Sequence, residues 1–387
     1  MLPWKYVLVL CQFVLILQLL QEVGCNVFSN ENAVFSLART KDRLWCGLRD
    51  SRIGVWEWMD RAKEATQEEI LEMTDGWVKE KDLIGNFGRV ESLTPLPDLD
   101  RMLSGSSDGR LRVWSCDYLK CEKTIDCHTD SLTSICIWKS AGDVIVTGSL
   151  DGRIRLWSSD SLMPVNEVAK PTARTDGWDE VENYGIRSMA VLEQPYPIIA
   201  AGCLDGKIRI WNLDSLECER ILDGHIRAVT CMCYSEGTLY SGSADSTVRA
   251  WNIESWDCEM VIEPENEIPE AVQSLNFIGE RVFGMDSHDT SAMLIGTPGE
   301  IVVLAVPSFK EILRVSHGFQ DSDKESDSDT HSFTYANPGI SAILVEDISM
   351  RDRSTEGGRH IISGADDGLV RCFLFKDWTC DWSLHNS

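Results

Sequence analysis

The chain is short of positive charge. Its 387 residues hold 36 Lys and Arg against 62 Asp and Glu, a formal net charge of −26, and a field of that sign repels phosphate backbones and anionic lipid headgroups. Direct binding to nucleic acid or a membrane surface is not expected, and basic protein segments are the favoured partners. Catalytic signatures are also missing: there is no Gly-rich phosphate loop, no His/Glu cluster at metal-ligand spacing and no nucleophile elbow. No catalytic, cofactor or metal-ligating residue is therefore assigned, and an enzyme would need a pocket assembled from several loops. No asparagine opens an Asn-x-Ser/Thr sequon, which argues against the secretory route.

Against this stands the N-terminus. After Lys5 an apolar run occupies residues 6–20, and Val23 and Cys25 fit the −3 and −1 positions of a cleavage site. Segment 1–26 reads as a signal peptide or short anchor, although its apolar run is shorter than the ~20 residues that span a bilayer. It reads equally as an apolar edge strand or a spurious extension. The expected compartment is the cytoplasm, with the secretory pathway through residues 1–25 as the alternative.

What the chain does have is a recurring phrase: SGSSDGRLRVW at 104–114, TGSLDGRIRLW at 147–157, AGCLDGKIRIW at 201–211 and SGSADSTVRAW at 241–251. Looser copies, CGLRDSRIGVW at 46–56 and SGADDGLVRCF at 363–373, flank them. Each copy is a β-hairpin: a small-residue strand end, an Asp-Gly or Asp-Ser turn, then apolar residues alternating toward an aromatic. One hairpin cannot bury both faces, so repeated hairpins must stack on one another.

These phrases resemble the repeats of WD-repeat β-propellers. The resemblance implies an all-β fold, a seven-bladed propeller with four antiparallel strands per blade over residues 27–387. Trp114 and Trp157 stand 43 residues apart and Trp211 and Trp251 stand 40 apart, near the family repeat length. From Trp251 to Phe373 is too long for one blade. A degenerate sixth blade is expected there, with strands at 292–295 and 301–306 around a Pro298-Gly299 turn.

The resemblance further implies a buried His–Ser/Thr–Asp–Trp tetrad, for which His225, Ser241, Asp245 and Trp251 form one set and His128, Thr147, Asp151 and Trp157 another. Asn86 stands near the His position of Ser104, Asp108 and Trp114, and Asp205 and Trp211 have no matching His. The family's Asp after the Trp is missing, with Ser115, Ser158, Asn212, Asn252 and Glu57 in its place. Arg112, Arg155, Arg209, Arg249 and Arg371 each precede the blade aromatic by two residues, and they are expected to pack their stems between blades with their heads in solvent. Cys121, Cys218, Cys258 and Cys380 each follow the aromatic by seven residues, at the start of an outer strand. Equivalent sites on adjacent blades are too far apart for a bridge, so buried free thiols and a reducing compartment are expected.

Three insertions interrupt the repeat. Residues 59–76 read as a short amphipathic helix, residues 169–185 as an acidic loop, and residues 317–339, dense in Asp and Ser, as disordered. The candidate partner-binding residues are Asp176, Asp179, Glu180 and Glu182 in the second insertion and Asp321, Asp323, Asp327 and Asp329 in the third. Ser322, Ser326 and Ser328 are candidate phosphosites. The functional expectation is a non-catalytic protein-interaction scaffold, a monomer within a larger complex. The substrate-recognition subunit of a ubiquitin ligase is the alternative.

Overall fold

The computed structural model describes residues 26–29, 32–40, 43–59, 76–139, 143–168, 185–192, 197–263, 271–278, 291–316, 340–348, 358–376 and 379–380. Seven antiparallel sheets follow one another in chain order. They form blades one (34–83), two (90–126), three (132–168), four (186–222), five (229–262), six (274–316) and seven (340–376) of a propeller. Blade six is the degenerate one, and its buried strands Ser291–Thr297 and Glu300–Val306 flank the turn expected from sequence.

Each phrase forms the second and third strands of a blade. In blade two, Met102 pairs with Trp114 and Ser104 with Arg112. The turn between them is tightened by Gly109 N–H donating to Ser106 O and by the Asp108 carboxylate accepting the Arg110 amide. Gly109 takes φ = +76° there, a conformation that a Cβ would strain.

The glycine at the end of each second strand has a different task, because the next blade's inner strand lies against its bare Cα. Gly47 faces Val90, Gly105 faces Leu132, Gly202 faces Val229, Gly242 faces Val272 and Gly364 faces Val34. The last contact returns from blade seven to blade one. Hydroxyls stitch several of the same seams: Ser36 Oγ donates to Val90 O (3.1 Å), Thr133 Oγ1 to Ile186 O (2.6 Å) and Ser274 Oγ to Ile340 O (3.0 Å). The core accordingly lies between blades. Val55, Val90, Met102 and Trp114 fill the seam of blades one and two, and Val34, Leu48, Trp56 and Ile362 that of blades seven and one.

Asn26–Ser29 closes the ring. It pairs antiparallel with the third strand of blade seven, Leu369–Lys376, in the register Asn26 with Cys372 through Ser29 with Leu369. Thr379–Cys380 pairs farther along the same strand. Asn26, assigned by sequence to the apolar segment, thus belongs to the propeller.

Two further expectations are corrected. Met59 and Gly76, taken as the limits of an insertion, are strand residues paired with each other, because the hairpin ladder of blade one runs on to them. The expected helix itself lies outside the described residues. Cys121 is exposed and Cys218 and Cys258 are half-buried, rather than fully buried, because an outer strand has only one covered face. Among the described residues, no helix is long and apolar enough to cross a membrane.

Candidate functional site

The turn aspartates gather on one face of the ring. In blade five, Asp245 Oδ2 lies 2.9 Å from His225 Nδ1, His225 Nε2 lies 2.8 Å from Ser241 Oγ, and Trp251 Nε1 donates to the same hydroxyl at 2.9 Å. One proton arrangement satisfies every atom: Nδ1–H donates to the carboxylate, and Ser241 O–H donates to Nε2 while accepting the indole N–H. The imidazole is therefore neutral, and burial, outweighing the pull of Asp245, holds its pKa below the ordinary value. Burial works to raise the Asp245 carboxyl, but hydrogen bonds from Thr247, the Ile226 amide and His225 outweigh it and keep that carboxyl below the usual range. Blade three repeats the set: His128 Nδ1 to Asp151 at 3.0 Å, His128 Nε2 to Thr147 Oγ1 at 2.9 Å and Trp157 Nε1 to Thr147 Oγ1 at 3.0 Å.

Blades without the histidine solve the same problem with arginine. Arg112 holds Asp108 through two hydrogen bonds, of 2.7 and 3.2 Å, and Arg209 holds Asp205 at 2.7 and 3.1 Å. Arg371 contacts Asp367 at 3.2 Å through both terminal nitrogens. These three heads are buried, with 1%, 3% and 9% of each residue exposed. They do not reach solvent as the sequence suggested, because a half-buried carboxylate gains from a charged partner when no imidazole is there to donate. In blade two, Asn86 sits where the histidine would and bridges Ser104 and Arg112.

The same carboxylates fix the loops that enter each blade. The Phe87 amide donates to Asp108, the Thr129 amide to Asp151 and the Ile226 amide to Asp245. Phe87 and Ile226 consequently stand on this face with 79% and 86% exposure, beside Ile84 at 79%. Sequence reasoning saw the turn aspartates and passed over the residue after each histidine position, though its one-residue offset was available as a signal. On the opposite face, the replacements for the missing Asp keep its work: Asn212 accepts the Asp214 and Ser215 amides, and Asn252 those of Glu254 and Ser255.

A cavity of about 650 Å³ opens at the centre of the ring. Arg49 and Asp366 line it, each standing just before a turn aspartate, so it opens on the face that carries Phe87 and Ile226. The Glu91 side chain is only 4% exposed and meets two cations. Arg89 Nη2 approaches its Oε1 at 2.9 Å as an ion pair without hydrogen-bond alignment, and Arg187 Nη1 donates to its Oε2 at 3.3 Å.

Cys231 and Cys233 share a face of the inner strand of blade five, and burial pushes the Cys231 thiol up to about 12. Among the described residues, no group of three or more His, Cys, Asp or Glu could hold a metal ion. Asp176, Asp179, Glu180, Glu182, Asp321, Asp323, Asp327, Asp329 and the three candidate phosphosites lie outside the described residues.

Four stretches, 77–115, 119–158, 181–212 and 216–252, match the family described as WD domain, G-beta repeat. Each joins the outer strand of one blade to the next three strands of its neighbour, or most of that span. A stretch of 133 residues, 34% of the chain, is 27% identical to Myosin heavy chain kinase C of Dictyostelium discoideum, and the match covers 15% of that protein.

Proposed function

The chain is a seven-bladed propeller with four stretches that match the WD domain, G-beta repeat, and from that premise we propose that it is a non-catalytic scaffold that docks protein partners on the face bearing the turn aspartates. The observation that carries this reading is the use made of the carboxylates. Asp108, Asp151, Asp205, Asp245 and Asp367 are all engaged by His or Arg, so they serve the fold rather than chemistry, and three of them lock the loops that expose Phe87, Thr129 and Ile226. Exposed apolar side chains on immobilised backbone are pre-organised contacts, which bind without the loss of loop entropy.

The partner has a basic segment, drawn by the charge of −26 and by the acidic residues of 176–182 and 321–329. Association of that kind is screened over about 8 Å at physiological salt. The scaffold sits in a multiprotein complex in the cytoplasm, a placement supported by the ten cysteines that lie among the described residues, all of them free.

Affinity purification from cells, comparing wild type with Phe87→Ser/Ile226→Ser, tests the docking face. Partners should be lost while the thermal melt is kept. Substituting Asp321, Asp323, Asp327 and Asp329 with Asn should slow binding. Recovery indifferent to both sets of changes and to raised salt would move the binding surface elsewhere. A mature N-terminus at Asn26 in secreted protein would overturn the cytoplasmic placement.

A further inference from the structure

The central mouth has the opposite character to the molecule around it. On a chain of net charge −26, it gathers three guanidiniums, Arg49, Arg89 and Arg187, against two carboxylates, Glu91 and Asp366. Glu91 is clamped between Arg89 and Arg187, yet each of those guanidiniums spends only part of its five N–H donors there. Arg49 is exposed, and among the described residues its guanidinium has no hydrogen-bond or ion-pair partner. The lining also leaves polar atoms unanswered: Ser188, nine-tenths buried, has an Oγ with no hydrogen-bond partner, and so has Gln273 Oε1. Arg89 also stands over the Phe35 ring, 5.2 Å from its centroid, a cation–π contact that helps hold it at the mouth.

The geometry points to the mouth as a receptor for an oxyanion on a docked peptide, a carboxylate or a phosphate, taken by Arg49, Arg89 and Arg187 with Ser188 as a neutral donor. Guanidinium forks suit planar or tetrahedral oxyanions. Glu91 acts as the resident competitor, holding the two inner arginines in place when the mouth is empty. The inference rests on the scaffold reading and adds to it that a partner basic overall inserts one acidic group at the centre.

The test is fluorescence anisotropy on the full chain with a labelled peptide Gly-Ala-Glu-Glu-Ala-Gly, its phosphoserine counterpart and its glutamine counterpart. The glutamate or the phosphoserine peptide should bind and the glutamine peptide should not; the stronger of the two identifies the oxyanion. Arg49→Glu and Arg187→Gln should each weaken binding about tenfold, whereas Glu91→Gln, which frees both inner arginines, should tighten it by a similar factor. A misfolded variant cannot produce a gain, so the Glu91 result stands apart from any loss of stability. Binding of neither anionic peptide, or binding unchanged in Arg49→Glu and Glu91→Gln proteins that melt like wild type, overturns the inference. If the peptides behave as expected but Phe87→Ser/Ile226→Ser leaves partner recovery intact, the docking face fails and the mouth stands; the reverse pattern condemns the mouth alone.

Discussion

A turn aspartate buried at the top of a blade is a liability until something donates to it, and this chain uses two donors. Where His128 or His225 is available, the arginine two places before the aromatic is a secondary partner at most, as Arg155 is at 3.8 Å from Asp151; where none is, Arg112, Arg209 and Arg371 move in. The two kinds of arginine should therefore differ in worth. Arg209→Met strands Asp205 and should cost about 3 kcal/mol or more, whereas Arg249→Met, in a blade whose Asp245 already has His225 and Thr247, should cost about 1 kcal/mol or less. Denaturant titration of both, with Asp205→Asn added to the first to recover part of the loss, checks the assignment; equal costs would refute it.

Acid should weaken the fold in two steps. His225 is kept neutral in the fold, so the unfolded chain takes up a proton there that the native state refuses, and stability should fall as pH drops from about 6.5 toward the lower native value. Asp108 and Asp245 are held below their usual range despite burial. Their contribution is complete above about pH 3.9 and is lost as pH falls below it toward the native values. Melting temperature measured against pH should show both declines, with His225→Gln flattening the first; a melt level from pH 7 to 5 would contradict the neutral imidazole.

Among the elements, the seam between blades depends on a missing side chain. A Cβ on Gly242 would lie 2.5 Å from Val272 Cγ1 and 2.7 Å from Cys231 Sγ, so Gly242→Ala must part blades five and six and should cost about 1–3 kcal/mol. Adding Val272→Ala should return part of the loss, although Cys231 still crowds the site. A melt of Gly242→Ala matching wild type would show that the seam is looser than drawn. The turns on the opposite face carry the reverse strain. Leu119, Leu162, Leu216, Trp256 and Phe309 all take positive φ, between 49° and 62°, and each stands five residues after the third-strand aromatic or its equivalent. Leu119, Leu162 and Trp256 are buried; a large apolar residue is tolerated in this conformation because it closes the lower end of the core.

For the whole molecule, closure is made by the chain's first described strand. Deleting Asn26–Ser29 would leave the 369–372 stretch of blade seven as an unpaired edge, a template for association with other chains. The shortened protein should melt several degrees lower and aggregate earlier, as calorimetry and light scattering would report. An unchanged melt would mean that Thr379–Cys380 suffices to close the ring.

The hairpin phrase, the number of blades, the degenerate sixth blade and the two histidine tetrads were all readable from sequence, because turn chemistry and strand alternation act over a dozen residues and repeat. The partner of each orphaned aspartate was within reach as well, since Arg112 lies four residues from Asp108; what misled was treating all five arginines alike when only some blades have a histidine. The rest required the ring. Arg187 meets Glu91 across 96 residues and Ser36 reaches Val90 across 54, and Asn26 pairs with Cys372 from the far end of the chain. No local pattern encodes such contacts, so the cationic mouth in an acidic protein came into view only once the seven inner strands were set side by side.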